Sequence, residues 1–266
     1  MTLTRLLHKC QELTATEPPH RVAFLQQLCR QLHWFAGVQI RNVATLAGNI
    51  VTCSPISDLN PIWVAMCATF TLQSTAGARR VEAKDFFQGY RCAPQQAPEF
   101  MRMCVHRTAM WLMICQCRQG DIRGEEVLVR VEVPWPGERD SVHVFKQAHR
   151  REDDIAIVNA AIRLRTAPAD EACTIASAWL AFGGVGPTVM RCEETAALLA
   201  GKPLTRATAM VRAKFGTWAG PLQACMQVGR SGAKVTCIVS PAGGSSRSGT
   251  GGCSAGGCAR WHGGVP

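Results

Sequence analysis

Three apolar runs, Val142 to Phe145, Ile155 to Leu164 and Cys173 to Phe182, follow one another at the spacing of a β-meander, and they constrain the fold more than any other feature. Just before them, Val127-Leu128-Val129-Arg130-Val131-Glu132-Val133 is a β-branched run that alternates in its second half and stops at Pro134. Phe70 to Gln73 also alternates, and the turn-rich Ser74 to Ala78 leads into Arg79-Arg80-Val81-Glu82, which predicts a hairpin. The chain opens differently. Leu3, Leu6, Leu7, Cys10 and Leu13 make a one-sided stripe at helical period, Glu17-Pro18-Pro19 interrupts it, and Val22, Leu25, Leu28, Cys29 and Leu32 make a second stripe. Two packed helices are expected there. Thr195 to Gly201 and Thr205 to Trp218 are Ala-rich, with Gly201-Lys202-Pro203 as a helix stop and restart. Between Phe35 and Asn60 apolar residues mix with Gly, Asn, Ser and Asp, which reads as short strands and tight loops. The fold class is α+β.

With 266 residues, 47% hydrophobic and 18% charged, a mostly disordered chain is excluded. Met110 to Cys115 and Ile175 to Phe182 fall well short of the ~20 apolar residues that cross a bilayer. Arg5, Lys9 and Glu12 sit where a secretory signal would be apolar, so a cytoplasmic location without a membrane partner is expected. The 14 cysteines are scattered and read as reduced thiols. No C-x-x-C occurs; Cys115 and Cys117 with His106 lack a fourth ligand at fixed spacing, so no metal site is expected. The net charge of +10 owes four charges to Arg230, Lys234, Arg247 and Arg260, in a Gly/Ser-rich stretch from 226 to 266 that reads as a disordered tail. A single tyrosine leaves few bases-stacking candidates among the basic residues, and no nucleic-acid partner is expected. Residues 92–119, rich in Cys, Met, Gln and Arg, read as an insertion or long loop.

The chemistry concentrates in one stretch. Gly48-Asn49 reads as a backbone-exposing bend, flanked by the hydroxyls of Thr45, Thr52, Ser54 and Ser57 and by the carboxylate of Asp58. Glycine lets backbone approach a phosphate, free N–H groups make an anion nest, and a carboxylate can accept from ribose hydroxyls. These are parts of a dinucleotide site, although a tight structural turn has the same composition.

The stretch Gln39-Ile40-Arg41-Asn42-Val43-Ala44-Thr45-Leu46-Ala47-Gly48-Asn49-Ile50, followed by Ser54-Pro55-Ile56-Ser57-Asp58-Leu59-Asn60-Pro61, resembles the FAD-binding domain of the molybdenum hydroxylases, the xanthine dehydrogenase and aldehyde oxidase family. The resemblance continues in Phe86 to Arg91, in Phe145 to Ala156 and in Gly183 to Thr188. It implies a partial FAD-binding domain of the PCMH type over 1–139, an α/β subdomain, then an antiparallel sheet with helices like the CO dehydrogenase flavoprotein C-terminal domain over 140–225. It further implies that Phe35, Thr45, Leu46, Ala47, Gly48, Asn49, Thr52, Ser57, Asp58, Leu128 and Lys146 contact FAD, with Lys146 and the loop 147–154 beside the flavin ring. Electrons would come from iron–sulfur clusters and leave to NAD⁺ or O₂, while the iron–sulfur and molybdenum centres sit on partner domains. No residue of this chain takes a catalytic role, because the redox chemistry is the cofactor's.

Three departures from the family pattern matter. Its other FAD segment, a strand and glycine loop of the V-G-N-T-E kind, is expected ahead of residue 1. Ala47 stands where the family has the first of two glycines, and a left-handed backbone there would cost an alanine ~1–2 kcal/mol. Residues 92–119 replace a short connection, and the Gly/Ser stretch replaces a closing helix. The second reading is therefore a truncated remnant that keeps the fold and binds no FAD. Phe86 and Phe87 are expected in the core, and at least one of Asp153 and Asp154 is expected only to pair with Arg150 and Arg151 at the surface.

Overall fold

The computed structural model describes residues 1–89, 119–150, 153–168, 173–205, 212–213, 222–229 and 232–239. The insertion at 92–119, bar its last residue, and with it His106, Cys115 and Cys117, lies outside the described residues.

Helix α1 (Leu3–Leu13) starts at Thr2, whose hydroxyl accepts from the Arg5 N–H, and α2 (Pro19–His33) has its proline in the first turn, where a missing N–H costs nothing. Their apolar stripes meet: Leu3 and Cys10 are buried from α1, and Phe24, Leu25, Leu28 and Leu32 from α2. Three short helices follow, α3 (Val38–Val43), α4 (Leu46–Val51) and α5 (Asn60–Ala65). This corrects the expectation of strands and tight loops between Phe35 and Asn60.

Strands β1 (Thr69–Ser74) and β2 (Gly77–Glu82) form the expected hairpin, and β5 (Val127–Glu132) pairs antiparallel with the other edge of β1. A single helical turn, α6 (Ala83–Phe86), leads to β3 (Phe87–Gly89), which pairs with β4 (Gln119–Gly120). Phe70, Phe86 and Phe87 pack edge-to-face in the core, as expected for the two later residues.

The meander is present. Strands β6 (Asp140–Gln147), β7 (Val158–Thr166), β8 (Ile175–Gly183) and β9 (Met190–Arg191) form one antiparallel sheet in chain order. Seven successive residues of β7, Val158 to Leu164, are buried, because both faces are covered. On one face Ala161 and Ala181 join the core of the helices and the first sheet; on the other Ala160, Ile162 and Phe182 pack with α7 (Glu193–Leu199). Helix α5 packs on β7 and β8, and α2 on β6, so the two halves share one interior.

Strands β10 (Arg212–Ala213), β11 (Leu222–Gly229) and β12 (Gly232–Val239) form a further antiparallel sheet. Two expectations are corrected by it: residues 226–239 are in large part a hairpin rather than disordered tail, and Arg212–Ala213 is strand within a stretch read as helix. The remainder of 226–266 beyond Val239 lies outside the described residues. Cys10, Cys29, Cys67, Cys173 and Cys192 are free thiols, and no described helix is long and apolar enough to cross a membrane.

The segment between β5 and β6 is fixed at both ends. The Arg21 guanidinium lies over the Trp135 ring, 5.2 Å from its centroid, and Asp140 accepts from Arg163 at 2.6 Å, from Arg165 at 2.7 Å and from the Gly137 N–H at 3.0 Å. Trp179 stacks under both guanidinia. Burial works against the Asp140 charge, yet Arg165, the Gly137 N–H and Arg163 hold its carboxyl down at about 2. A depressed carboxyl stabilises above the unfolded value of ~3.9, and that contribution is lost as the pH falls toward about 2. Asp140→Ala leaves the buried Arg163 unpaired and is predicted to lower unfolding free energy by about 3–5 kcal/mol in urea titrations at pH 7. The difference from wild type should shrink between pH 4 and pH 2.

Candidate functional site

The site begins where α2 ends. Arg41, buried on α3, donates through one nitrogen to the carbonyls of His33, Phe35 and Ala36 at 3.0, 2.8 and 2.6 Å. Lys146, near the end of β6, takes the remaining carbonyl, Trp34, at 2.9 Å. Two cations thus satisfy four successive carbonyls at a helix C-terminus, the end that favours positive charge. They also hold the turn in which Ala36 has a positive φ of 44°. The Lys146 ammonium is at the same time 2.8 Å from Asp58 Oδ2, with side-chain exposures of 8% and 10%. This is a buried pair, so neither residue is a solvated surface charge.

Burial pushes the Asp58 carboxyl up from its ordinary value, while Lys146 and the nearby Asn159 amide act in the opposite direction. Asp58 belongs to a loop that Ser57 ties to α4. The Ser57 hydroxyl donates to Asn49 Oδ1 at 3.0 Å and accepts from the Asn60 N–H at 3.4 Å.

The Gly48-Asn49 stretch is not a bend. It lies inside α4, whose N-cap is Thr45: the Thr45 hydroxyl accepts from the Gly48 N–H at 3.0 Å, and the Thr45 carbonyl accepts from the Asn49 N–H. The Leu46 N–H donates to the Met1 carbonyl. Of the helix's first donors this leaves the Ala47 N–H with no acceptor among the described residues, so the anion nest inferred from composition is largely satisfied from within. Ala47 is helical, and the left-handed penalty expected for it does not arise. At the other end the Thr52 hydroxyl donates to the Gly48 carbonyl at 2.7 Å.

The candidate residues thus fall into two groups. Thr45 and Gly48 are exposed, and Leu46, Ala47, Asn49 and Thr52 are half-buried on α4, with Phe35 half-buried beside the same core. Ser57, Asp58, Leu128 and the Lys146 side chain are buried; Leu128 lies on the inner face of β5, beneath α4. Asn49–Ser57 connects the groups, and nothing brings Leu128 to the accessible surface.

Three contributors escaped sequence reasoning. Gln31 on α2 donates to the Asp58 carbonyl at 3.1 Å, and Asn159 on β7 donates to the Ser57 carbonyl at 2.9 Å. Arg41 is the third. The signal for the two amides was a polar residue inside an apolar stripe or run. In the loop after β6, Asp154 accepts from the N–H groups of Arg150 and Ile155, which holds its carboxyl low, and the Arg150 guanidinium donates to the Asp153 carbonyl. Arg151 lies outside the described residues.

The donor set fits a nucleotide ligand in part. Asp58 Oδ1, both polar atoms of the Asn60 amide and Asn159 Oδ1 are buried and find no hydrogen-bond partner among the described residues, so this region has polar capacity to spare. On the accessible side α4 presents the Ala47 N–H beside a glycine whose Cβ position meets only the Thr45 hydroxyl.

Comparison with known proteins gives two family matches: residues 9–136 match the FAD binding domain in molybdopterin dehydrogenase, and residues 143–214 match the CO dehydrogenase flavoprotein C-terminal domain. Xanthine dehydrogenase 2 of Arabidopsis thaliana is 37% identical over 203 residues, which is 76% of this chain and 13% of that protein. Xanthine dehydrogenase/oxidase of Gallus gallus is 36% identical over 202 residues, again 76% of this chain and 13% of the relative. This chain therefore spans only about 13% of the length of these relatives. Among solved structures, carbon monoxide dehydrogenase from Hydrogenophaga pseudoflava superimposes with a TM-score of 0.58 at 22% identity, covering 79% of this chain and 59% of that one. Quinoline 2-oxidoreductase from Pseudomonas putida 86 gives 0.55 at 24% identity with the same coverage. At that identity the likeness is one of fold.

Two substitutions test this geometry. Because Ala47 is helical, Ala47→Gly is predicted to destabilise by about 0.5–1 kcal/mol in thermal unfolding; a gain in stability would mean a left-handed residue. Lys146→Met strands the Asp58 carboxylate in the interior and is predicted to cost about 3–5 kcal/mol at pH 7. That loss should diminish as acid protonates Asp58, since a raised carboxyl adds stability below its folded value.

Proposed function

We propose, from the premise that this chain belongs to the family of FAD-binding domains of the molybdenum hydroxylases, followed by the flavoprotein C-terminal domain, that it is the flavin module of a xanthine dehydrogenase-like oxidoreductase. The observation that carries the reading is the joining of two motif groups far apart in the chain, Thr45 to Asp58 and Lys146, through one buried ion pair and the Ser57–Asn49 bond. In this reading the α4 residues Thr45, Leu46, Ala47, Gly48, Asn49 and Thr52 receive the nucleotide's diphosphate and sugar. Thr45 and Gly48 offer exposed polar surface for it, and the Ala47 N–H is a donor with no acceptor of its own. Phe35, Ser57, Asp58, Leu128 and Lys146 complete the site toward the flavin ring. When bound, FAD supplies the capacity to take up and release electrons one or two at a time.

This chain's own residues orient the cofactor and set the charge around it. Lys146 brings a cation and Asp58 an anion, and their buried pairing keeps the local charge balanced. Leu128 supplies apolar wall. Electrons would enter from iron–sulfur centres on other domains or subunits and leave to NAD⁺ or O₂. The full hydroxylation would need a molybdenum centre on another domain or subunit, so the module acts only within a larger assembly.

The test is uptake of FAD by the purified chain. Co-elution of flavin absorption with the protein in gel filtration, after incubation with excess FAD, is the expected result. A colourless protein peak would instead favour the truncated remnant that binds no FAD.

A further inference from the structure

The Ser54–Asn60 loop is held from outside by donors on three different elements. Gln31, within α2, reaches the Asp58 carbonyl at 3.1 Å. Asn159, on the central strand β7, reaches the Ser57 carbonyl at 2.9 Å. The Gly184 N–H, just past β8, reaches the Pro55 carbonyl at 2.8 Å. Both side-chain amides are almost wholly buried, 4% exposed for Gln31 and 3% for Asn159. Gln31 lies beside Leu28 and Leu32 on the buried side of α2, and Asn159 sits on the face of β7 that also carries Ala161 and Arg163. Burying a carboxamide is costly unless it is hydrogen-bonded, so a bonded amide at each place reports a specific demand of the loop.

The surrounding backbone is shaped to this arrangement. A Cβ on Gly183 would lie 2.1 Å from Asn159 Oδ1 and 2.9 Å from the Pro55 carbonyl, so only glycine lets strand, amide and loop meet. Gly184 has φ +81°, in the left-handed region, and a Cβ there would strike the Ile157 carbonyl at 2.3 Å. By contrast, the loop's own bonds, Ser57 N–H to the Ser54 carbonyl and Asn60 N–H to the Ser57 hydroxyl, shape it locally and do not orient it toward β6.

We propose that Gln31 and Asn159 form a carboxamide clamp that positions Ser57 and Asp58 for the flavin, a role that rests on reading those two residues as flavin contacts. Both are positioning residues: they act through the carbonyls of the loop and set where the Asp58 carboxylate meets Lys146 and where the Ser57 hydroxyl meets Asn49. Because Asn159 belongs to the second matched domain and the loop to the first, the cofactor site is completed across the domain junction.

Two measurements on the full chain test this. Hydrogen exchange without FAD, on wild type, Gln31→Met and Asn159→Leu, should show peptides spanning 54–60 exchanging about tenfold faster in each variant, while α1 and β1–β2 peptides keep their wild-type rates. Unchanged exchange over 54–60 overturns the clamp. If Asn159→Leu fails to fold, Gln31→Met, on a separate element, decides the same point. FAD affinity by fluorescence quenching should fall about tenfold in each variant and show almost no further loss when the change is made in an Asp58→Asn background. Full additivity would contradict action through Asp58. A wild-type chain that takes up no FAD defeats the flavin reading alone, and the exchange rates still decide whether the clamp exists.

Discussion

The buried pair between Lys146 and Asp58 is the interaction on which the site's geometry depends. It joins the second sheet to the loop after α4, and through the Trp34 carbonyl it also closes the C-terminus of α2. Buried ion pairs return little net stability, because desolvation offsets most of their attraction. What this one supplies is position. Three segments that already share one hydrophobic core, through Leu32, Leu59 and Val144, are fixed relative to one another at one point, and α2, β6 and the Asp58 loop cannot shift independently without stranding a charge in the interior. Sharing of one core between the two sheets makes such a cross-tie possible.

Much of the fold was legible because period and burial agree. Stripes at helical spacing gave α1 and α2, and alternation gave the β1–β2 hairpin, β5 and the meander, whose central strand is apolar throughout because it is covered on both faces. Helices α3, α4 and α5 were not legible. Each has six residues, too few for a period to show, and each is fixed by local bonds: Arg41 on the α2 terminus, the Thr45 cap on α4, and Pro61 at the start of α5. A Gly-Asn pair reads as a bend on composition and becomes helical because a threonine stands three residues before the glycine. The hairpin of β11 and β12 was hidden for another reason: averaging Leu222–Val239 with the glycine runs that follow masks its strand-like stretches.

The site was legible in its members and not in its arrangement. Residue types in one stretch pointed to a nucleotide, and the resemblance added Lys146 and Leu128 from far along the chain; no spacing rule could have paired Lys146 with Asp58 across 88 residues. Gln31 and Asn159 went unseen because a single amide in an apolar run looks like noise until its acceptor is known. The structure also divides what the sequence treated as one set, with an accessible α4 surface outside and a sealed ion pair within.

A crystal structure of the chain with FAD tests the central claim most directly. Density for the diphosphate against the α4 residues Thr45–Asn49, with Asp58 and Lys146 still paired behind it, is the predicted result. Nucleotide density on any other surface, or an Asp58 swung away from Lys146 with the loop intact, would contradict it.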